Sequence, residues 1–327
     1  MTVLSGSSIL ITGGTGSLGR AFLRHALDNF DPQRLVVFSR DELKQYETRQ
    51  VLGDDPRLRW FIGDVRDRDR LTRAMHGIDY VVHAAALKQV DTAEYNPFEF
   101  VRTNIYGSQN VVEAAIDCGV RKVVALSTDK ASSPINLYGA TKLTADKIFI
   151  SANHYAAAHV TRFAVVRYGN VVGSRGSVVP FFRRLHAEGR SLPLTDKRMT
   201  RFWITLDQAV RFVADSFTQM HGGELYVPRI PSMRLLDLAN AVAPDGSTYE
   251  IGIRPGEKLH EEMIATDDAP RTLRLADRYV VQPTIASWGY IPPTDGTPVP
   301  EGFVYRSDTN DQWLSTDELR AMIGLAA

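Results

Sequence analysis

The chain has 327 residues, and its 38 Lys and Arg residues balance its 38 Asp and Glu residues, giving a net charge of +0. That balance argues against a nucleic-acid-binding protein, which normally carries a basic excess, and against a disordered polyanion. The single cysteine, Cys118, excludes an intramolecular disulfide, so we expect a cytoplasmic protein. No segment approaches the roughly 20 apolar residues that cross a bilayer, so we expect no membrane partner.

Short β-branched runs alternate with helical stretches in the first half of the chain. The predicted strands are residues 8–12, 34–39, 58–62, 80–84, 122–127 and 164–167. Most of these are nearly continuous apolar runs, which are typical of parallel strands covered on both faces. The predicted helices between them include residues 18–29, 98–118 and 138–154. This alternation predicts an α/β fold with a Rossmann-like, doubly wound parallel sheet.

The pattern changes after about residue 170. Predicted helices at residues 179–188, 206–220 and 235–243 mix there with isolated strands near 225–227 and 249–251. Prolines exclude long regular elements from the last fifty residues; they are Pro283, Pro292, Pro293, Pro298 and Pro300. We therefore predict a main domain at residues 1–170 and a smaller C-terminal α/β domain at residues 171–327, with segments that cross back to the main sheet.

A glycine-rich loop follows the first predicted strand. It has the spacing GxxGxxG and precedes a predicted helix, as in a variant of the dinucleotide fingerprint. Glycines permit the tight turn and let backbone N–H groups approach a pyrophosphate at the helix N-terminus. A purely structural turn is the alternative, but the position of the loop favours cofactor binding. The predicted contacts are Gly13, Thr15, Gly16, Ser17, Leu18 and Gly19.

The residues after the second predicted strand bear on which dinucleotide is bound. Sites for NAD usually place an acid there for the ribose 2′-hydroxyl, whereas Ser39 and Arg40 come first here and suit a 2′-phosphate. We therefore predict NADP rather than NAD, with Lys44 either adding positive charge or lying on a solvated helix. Asp64 and Val65, after the third strand, are placed for an adenine contact, and Asp64 can also cap a helix.

Polar residues follow the fifth predicted strand. Thr128, Asp129 and Lys130 stand at its carboxyl end, where such sheets place their chemistry. Tyr138 and Lys142 follow on a predicted helix, and their spacing puts both on one face. Because a nearby ammonium lowers the pKa of a phenol, we expect Tyr138 to act as a base near neutral pH. Lys142 can also bind the nicotinamide ribose.

The glycine loop, the Ser-Thr pair and the Tyr-x-x-x-Lys spacing together resemble the extended short-chain dehydrogenase/reductase family over essentially the whole chain. Members bind nucleotide sugars and oxidise a ring hydroxyl. In the sugar 4,6-dehydratases an acid must protonate the leaving 6-hydroxyl and a base must remove the proton at carbon 5. Asp129-Lys130 is similar to the pair that stands there in the inverting type, whereas 4-epimerases carry no acid–base pair at this point.

Six stretches carry the resemblance to inverting dehydratases that act on UDP-N-acetylglucosamine. They are residues 84–88, 93–97, 127–142, 167–177, 199–204 and 254–261. Gln89 and Asp91 depart from the pattern, where His and Pro are expected. The resemblance implies lyase activity in polysaccharide biosynthesis, with pseudaminic acid or another deoxyaminosugar downstream.

The resemblance also implies a mechanism. Tyr138, assisted by Thr128 and Lys142, would take the 4-hydroxyl proton while hydride leaves carbon 4. Lys130 would then remove the carbon-5 proton as Asp129 protonates the departing 6-hydroxyl. Hydride would return to carbon 6, with reprotonation of carbon 5 from the opposite face. Lys130 must be neutral for this role, so we expect its pKa to be depressed by burial or nearby positive charge.

Ligand contacts and assembly are implied in the same way. Ala84, Ala85 and Ala86 would line a tightly bound NADP that is recycled at each turnover. The implied contacts of the UDP-sugar are Lys88, Asn170, Thr195, Arg201, Arg254 and Glu257, with the two arginines on the diphosphate. Relatives pair through the helices equivalent to residues 98–118 and 138–154, which implies a homo-oligomer, either a dimer or a hexamer. The eight histidines show no metal-ligand spacing, so we predict no metal.

Three alternatives remain open. A 4-epimerase would use the same oxidation without elimination, and Asp129-Lys130 counts against it. A reductase of the same family would consume NADPH. A non-catalytic NADP-sensing protein could dispense with Tyr138 and Lys142, yet both are present.

Overall fold

The computed structural model describes residues 3–156, 160–173 and 178–325. The helices are α1 (Ser17–Asn29), α2 (Glu42–Leu52), α3 (Arg68–Met75), α4 (Val90–Tyr95), α5 (Pro97–Phe100), α6 (Gly107–Asp117), α7 (Leu137–Tyr155), α8 (Val178–Ala187), α9 (Leu206–Gln219), α10 (Leu235–Val242) and α11 (Thr316–Met322). The strands are β1 (Ser8–Thr12), β2 (Arg34–Ser39), β3 (Leu58–Ile62), β4 (Tyr80–His83), β5 (Lys122–Leu126), β6 (Arg162–Val166), β7 (Asn170–Val171), β8 (Leu192–Leu194), β9 (Thr200–Ile204), β10 (Leu225–Pro228), β11 (Ser232–Arg234), β12 (Thr248–Glu250), β13 (Glu262–Ile264), β14 (Thr272–Arg274), β15 (Arg278–Val281), β16 (Thr297–Pro298) and β17 (Tyr305–Arg306).

The main sheet has ten strands within the described residues, in the order β16-β14-β15-β10-β6-β5-β4-β1-β2-β3. Strands β1 to β6 and β10 pair in parallel, and β15, β14 and β16 continue the sheet in antiparallel fashion. The order reverses between β1 and β4, and doubly wound sheets bind ligands outside the carboxyl ends of the strands at such a switch point. The predicted Rossmann-like sheet is confirmed.

The predicted strands of the first half are close to those observed. β1, β2 and β3 have the predicted bounds, and β4 and β5 end one residue early. β6 begins two residues before its predicted start because the Arg162 N–H already bonds the Arg121 carbonyl at 3.0 Å. Ladder pairing with a neighbouring strand, rather than the apolar run itself, therefore sets the beginning of that strand.

The predicted helix at residues 98–118 is interrupted. A π-helical turn at residues 101–106 separates α5 from α6. Within it, the buried Asn104 side chain bonds the Leu87 N–H at 2.9 Å, the Leu87 carbonyl at 3.0 Å and the Thr141 hydroxyl at 3.0 Å. Such turns are frequent at functional sites. Here the turn ties the loop after β4 to helix α7.

Hydrophobic residues fill both faces of the sheet. One cluster includes Phe149 and Phe163, and the cluster on the other face includes Phe22 and Phe217. A third cluster, around Phe182 and Trp203, holds together α8, α10, α11, β8, β9 and β11. Chain from beyond residue 170 supplies β10, β14, β15 and β16 to the main sheet. Among the described residues, no helix is both long and apolar enough to span a bilayer.

Candidate active site

The glycine loop turns from β1 into α1 with no room for side chains. Gly13 has a φ of +65°, and a Cβ added there would lie 2.9 Å from the backbone of Ala85. A Cβ on Gly19 would lie 2.6 Å from the Cα of Gly14. The backbone itself therefore forms the wall of the crevice, and Gly16 is the N-cap of α1. This close-packed cradle at a helix N-terminus fits the pyrophosphate of a dinucleotide.

A cavity of about 190 Å³ lies beside this loop. The predicted cofactor residues that line it are Gly13, Thr15, Ser39, Arg40, Lys44, Asp64, Val65, Ala85 and Ala86. Two cations, Arg40 and Lys44, stand at its wall, each beside a carboxylate: the Arg40 guanidinium is 3.5 Å from Asp64, and the Lys44 ammonium is 2.7 Å from Asp41. The cavity wall beyond β2 thus carries the two positive charges expected for binding a 2′-phosphate. Asp64 and Asp41 partly offset those charges.

The expectation that Asp64 caps a helix is wrong. Helix α3 begins at Arg68, and the Asp67 carboxylate accepts the Arg70 N–H as its N-cap. Asp64 instead accepts the Arg66 N–H at 3.0 Å and pairs with the Arg66 guanidinium at 2.8 Å. The chain turns into α3 three residues after Asp64, so the carboxylate at the N-terminus of the helix is that of Asp67.

A second cavity, of about 520 Å³, opens over the carboxyl ends of β1, β4, β5 and β6. It is the catalytic cleft. The predicted residues that line it are Gly13, Gly16, Ser17, Leu18, Gly19, Ala84, Ala86, Lys88, Thr128, Asp129, Lys130, Tyr138, Lys142 and Asn170. The structure therefore brings the five predicted catalytic residues and much of the glycine loop to one site.

Two local features hold the catalytic residues in place. Thr128 is the N-cap of a short 3₁₀ turn at residues 129–131. Asn136 caps α7 by accepting the Gly139 N–H at 2.7 Å, and its amide donates to the Gly256 carbonyl at 2.7 Å. Gly139 packs directly on the Lys130 carbonyl, where a Cβ would clash. Helix α7 can therefore approach the turn closely enough to bring Tyr138 beside Thr128 and Lys130.

Tyr138 differs from expectation in its ionisation. Its side chain is buried, and burial raises the pKa of Tyr138 to about 12. The Lys130 ammonium and a hydrogen bond with Thr128 act in the opposite direction and lower it. The Lys142 ammonium donates to the Leu126 carbonyl at 2.7 Å. The ammonium that favours the Tyr138 phenolate is that of Lys130, and burial outweighs its effect on the pKa.

Lys142 is itself buried at the foot of the cleft. Burial lowers its pKa, and Asp146 acts against that change. Asp146 lies in a small polar network, where it accepts the Ser127 hydroxyl at 2.7 Å and the Arg167 guanidinium at 3.1 Å. Sequence reasoning missed Asp146, although it lies on α7 four residues after Lys142 and so shares a helix face with it.

The expectation that the pKa of Lys130 is depressed is wrong for this structure. Burial acts to lower it, but the Asp129 and Glu261 carboxylates outweigh burial and raise it above the usual lysine value. The Lys130 ammonium is 3.1 Å from Asp129 and 3.3 Å from Glu261. Sequence reasoning had not assigned Glu261 a role, although it closes the 254–261 stretch, because its approach to Lys130 depends on the tertiary fold.

The predicted substrate residues line a third cavity of about 830 Å³. These are Asn170, Thr195, Arg201, Arg254 and Glu257, whereas Lys88 lines the catalytic cleft. Asn170 belongs to both linings, so the two cavities adjoin. Residues 174–177 of the predicted motif lie outside the described residues.

The two predicted diphosphate arginines differ in their surroundings. Arg254 is half-exposed and lies 3.5 Å from Glu257. Arg201 is nearly buried, and its guanidinium donates to the carbonyls of Thr200, Leu259 and Lys258. Arg201 is therefore held rigidly by backbone, whereas Arg254 has solvent-facing surface for a ligand.

Residues 9–283 match the family described as polysaccharide biosynthesis protein. The chain belongs to this family. Its membership places the chain among the extended short-chain dehydrogenases/reductases, as the sequence patterns predicted.

Relatives of this chain carry the names of two different activities. A UDP-N-acetylglucosamine 4,6-dehydratase (inverting) of Campylobacter jejuni subsp. jejuni, serotype O:23/36, strain 81-176, is 51% identical over 98% of this chain and 98% of its own. A UDP-glucose 4-epimerase of Rickettsia canadensis, strain McKiel, is 41% identical over 83% of this chain and 82% of its own.

Two solved structures are similar to the whole fold or its larger part. Pen from Bacillus thuringiensis matches with a TM-score of 0.91 and 38% identity, over 98% of both chains. DesIV, a dTDP-glucose 4,6-dehydratase from Streptomyces venezuelae with NAD bound, matches with a TM-score of 0.70 and 27% identity, over 77% of this chain and 86% of its own. Within the described residues, no group of His, Cys, Asp and Glu side chains is arranged to hold a metal ion.

Proposed function

We propose that this chain is an inverting UDP-N-acetylglucosamine 4,6-dehydratase, a hydro-lyase of polysaccharide biosynthesis. The observation that carries the proposal is the contact between Asp129 and Lys130 in the catalytic cleft beside Tyr138. A dehydratase needs an acid and a base at neighbouring carbons of one sugar, and this pair supplies both within 3.1 Å. The Campylobacter relative, which matches over nearly the full chain, bears the same activity.

The residues of the cleft have separate tasks in this reaction. A nicotinamide dinucleotide, when bound, accepts hydride from carbon 4 and returns it to carbon 6. Tyr138 takes the proton of the 4-hydroxyl. A hydrogen bond between Thr128 and the Tyr138 side chain and the positive charge of Lys130 both favour the phenolate. The ketone at carbon 4 acidifies the hydrogen at carbon 5, so that an amine can remove it. The Lys142 ammonium donates to the Leu126 carbonyl and so ties helix α7 to the end of β5.

The elimination requires a proton to move within the Asp129–Lys130 pair. Lys130 is an ammonium in the ligand-free protein, so it must give up a proton before it can act as a base. Asp129 must gain one before it can act as an acid. Transfer from the ammonium to the carboxylate, along the 3.1 Å contact, satisfies both needs at once. The proton arrives on Asp129 Oδ1, which then donates it to the leaving 6-hydroxyl; Oδ2 is buried and makes no hydrogen bond within the described part of the chain.

We further propose NADP, tightly held and recycled, as the cofactor. Support comes from Arg40 and Lys44 in the wall of the cavity beyond β2, where a 2′-phosphate would lie. The nearby Asp41 caps α2 and pairs with Lys44, so it already has partners. An acid dedicated to a 2′-hydroxyl, as expected for NAD, is not the first residue after β2.

The remaining assignments extend this proposal. Lys88, Asn170, Thr195, Arg201, Arg254 and Glu257 contact the UDP-sugar, and their support is that they line the two adjoining cavities. Assembly as a dimer or hexamer and location in the cytoplasm stay predictions.

A 4-epimerase is the second candidate, because the Rickettsia relative carries that name. Both activities begin with oxidation at carbon 4, so the glycine loop and Tyr138 do not distinguish them. The Asp129–Lys130 contact does, since an epimerase has no use for an acid directed at carbon 6.

The experiment is incubation of the purified protein with UDP-N-acetylglucosamine, followed by mass spectrometry and NMR of the product. We expect loss of one water and inversion at carbon 5. The matched variant Asp129→Asn keeps the side-chain volume but has no proton to give, so water loss should fall by about 10²- to 10⁴-fold. An unchanged mass with an altered carbon-4 configuration would instead identify an epimerase.

A further inference from the structure

Glu261 is a buried carboxylate from the C-terminal half of the chain that lies beside Lys130, a residue of the catalytic cleft. Its side chain is only 3% exposed, and Oε1 lies 3.3 Å from the Lys130 ammonium and 3.6 Å from the Arg201 guanidinium. Oε2 is buried and has no hydrogen-bond partner among the described residues. Burying a carboxylate is costly unless it is paired, so these two cations account for its presence.

The backbone around Glu261 is fixed. Its N–H donates to the Ser307 hydroxyl at 2.9 Å, and its carbonyl accepts the Ser307 N–H at 2.8 Å. The next residues form β13, which packs beside the 3₁₀ turn that carries Lys130. The Arg201 guanidinium is likewise fixed, by its hydrogen bonds to the backbone carbonyls of three other residues. The Glu261 carboxylate is therefore held in place beside the Lys130 ammonium.

We propose that Glu261 is a positioning residue that directs the Lys130 amine toward carbon 5 of the sugar. The inference rests on the proposed dehydratase function and deepens it. Lys130 has two carboxylate partners, Asp129 and Glu261. When Asp129 takes the proton, the neutral amine stays 3.3 Å from the Glu261 carboxylate and donates an N–H to it. That donation fixes the orientation of the nitrogen and directs its lone pair toward the sugar.

The two carboxylates are not equivalent, and the difference determines which one accepts the proton. Glu261 faces two cations, Lys130 and Arg201, whereas the ion pair of Asp129 is with Lys130. The Lys130 ammonium donates a hydrogen bond to Asp129 Oδ1 at 3.1 Å, and its proton passes along that bond to Asp129, the residue that must later donate it.

The proton balance closes over the elimination. The Lys130 ammonium gives its proton to Asp129, which leaves an amine and a carboxylic acid. The amine then takes the carbon-5 proton, the electrons of that bond form the carbon–carbon double bond, and the carbon–oxygen bond at carbon 6 breaks. Asp129 protonates the leaving oxygen to give water. Lys130 and Asp129 return to their starting charges, and Glu261 remains a carboxylate throughout.

The test is the variant Glu261→Gln in the full-length enzyme with its cofactor. The amide has nearly the same size but is a weaker acceptor, and its NH₂ group can face Lys130. Misplacement of a reacting group by about 1 Å costs on the order of 10²-fold, so we expect water loss to slow by about 10- to 100-fold. Oxidation at carbon 4 should continue, so the near-ultraviolet absorbance of reduced nicotinamide should accumulate in a single turnover.

The matched control is Glu262→Gln, one residue further along. The Glu262 carboxylate accepts the hydroxyls of Ser132 and Ser133 and makes no ion pair with Lys130. We expect this control to keep the wild-type ratio of oxidation to water loss. Wild-type water loss in Glu261→Gln, or an equal fall of both steps, would overturn the positioning role. Failure of the wild-type protein to release water would instead refute the proposed function.

A second readout does not depend on turnover. The charged and titratable groups that face Lys130 are Asp129, Glu261, Arg201, Tyr138 and Lys88. Loss of the Glu261 charge leaves Arg201 opposite Lys130 without a carboxylate between them, which lowers the pKa of Lys130. Labelling of the cofactor-bound protein, without nucleotide sugar, by acetic anhydride and peptide mass spectrometry should therefore modify Lys130 at lower pH in Glu261→Gln than in wild type. An unchanged labelling profile would contradict the contact.

Discussion

At the scale of single residues, the main feature of the cleft is the pair of carboxylates, Asp129 and Glu261, beside the Lys130 ammonium. The sequence located Thr128, Asp129, Lys130, Tyr138 and Lys142 because strand end and helix spacing are local patterns. It did not predict their ionisation. The pKa of Lys130 is raised first by Asp129, its neighbour in the sequence, and then by Glu261, which lies 131 residues further along the chain; that second contact leaves no trace in local spacing.

The raised pKa of Tyr138 sets a pH dependence. The base is the phenolate, and burial places the pKa of the phenol at about 12, so the rate of carbon-4 oxidation should rise with pH between neutrality and the alkaline limit. Tyr138→Phe should reduce this rate by about 10²- to 10⁴-fold and leave no such rise. Single-turnover absorbance of reduced nicotinamide at several pH values measures both effects.

The control for this prediction is Tyr80→Phe. Tyr80 is a second buried tyrosine, on β4, whose ring packs against Phe217 in the core. Its replacement should preserve the pH profile. A Tyr138→Phe enzyme that oxidises carbon 4 at the wild-type rate would exclude Tyr138 as the base.

At the scale of elements, parallel strands are the part of this fold that the sequence predicts best. Apolar runs predict β1 and β2 to the residue, because both faces of the sheet are covered there, and the partly exposed edge strand β3 also has its predicted bounds. The break between α5 and α6 was not predicted. It arises because the Asn104 side chain bonds the loop after β4, and a helical period gives no sign of that contact.

The N-terminus of α7 joins the helix to the substrate side of the molecule through Asn136. Asn136→Ala removes both the cap of α7 and the bond to the Gly256 carbonyl, and loss of such a cap costs about 1 kcal/mol in the free energy of unfolding. Urea unfolding checks this value. Asn136→Asp keeps the capping oxygen but lacks the amide donor, so it should retain most of the stability and raise the KM for the nucleotide sugar. If both variants are equally destabilised, the cap is not the source of the effect.

At the scale of the whole molecule, zero net charge conceals a local arrangement of charges around two adjoining ligand cavities. Arg40 and Lys44 stand at the cofactor end and Arg254 at the substrate end, while acids elsewhere offset them. The main sheet contains strands from both halves of the chain, so a ligand in either cavity contacts the same folded unit. Ligand binding should therefore stabilise the chain against global unfolding.

Thermal unfolding with added dinucleotide tests this arrangement together with the choice of cofactor. A ligand at 100 times its Kd stabilises the folded state by about 2.7 kcal/mol, so a measurable rise in Tm is expected with NADP. At equal concentration NAD should give a smaller rise, because it has no 2′-phosphate for Arg40 and Lys44. Arg40→Ser should reduce the advantage of NADP and leave the effect of NAD nearly unchanged, since Arg40 is half-exposed and its ion pair with Asp64 is long, at 3.5 Å. Equal rises in Tm with NAD and NADP in the wild-type protein would mean that Arg40 and Lys44 do not distinguish a 2′-phosphate from a 2′-hydroxyl.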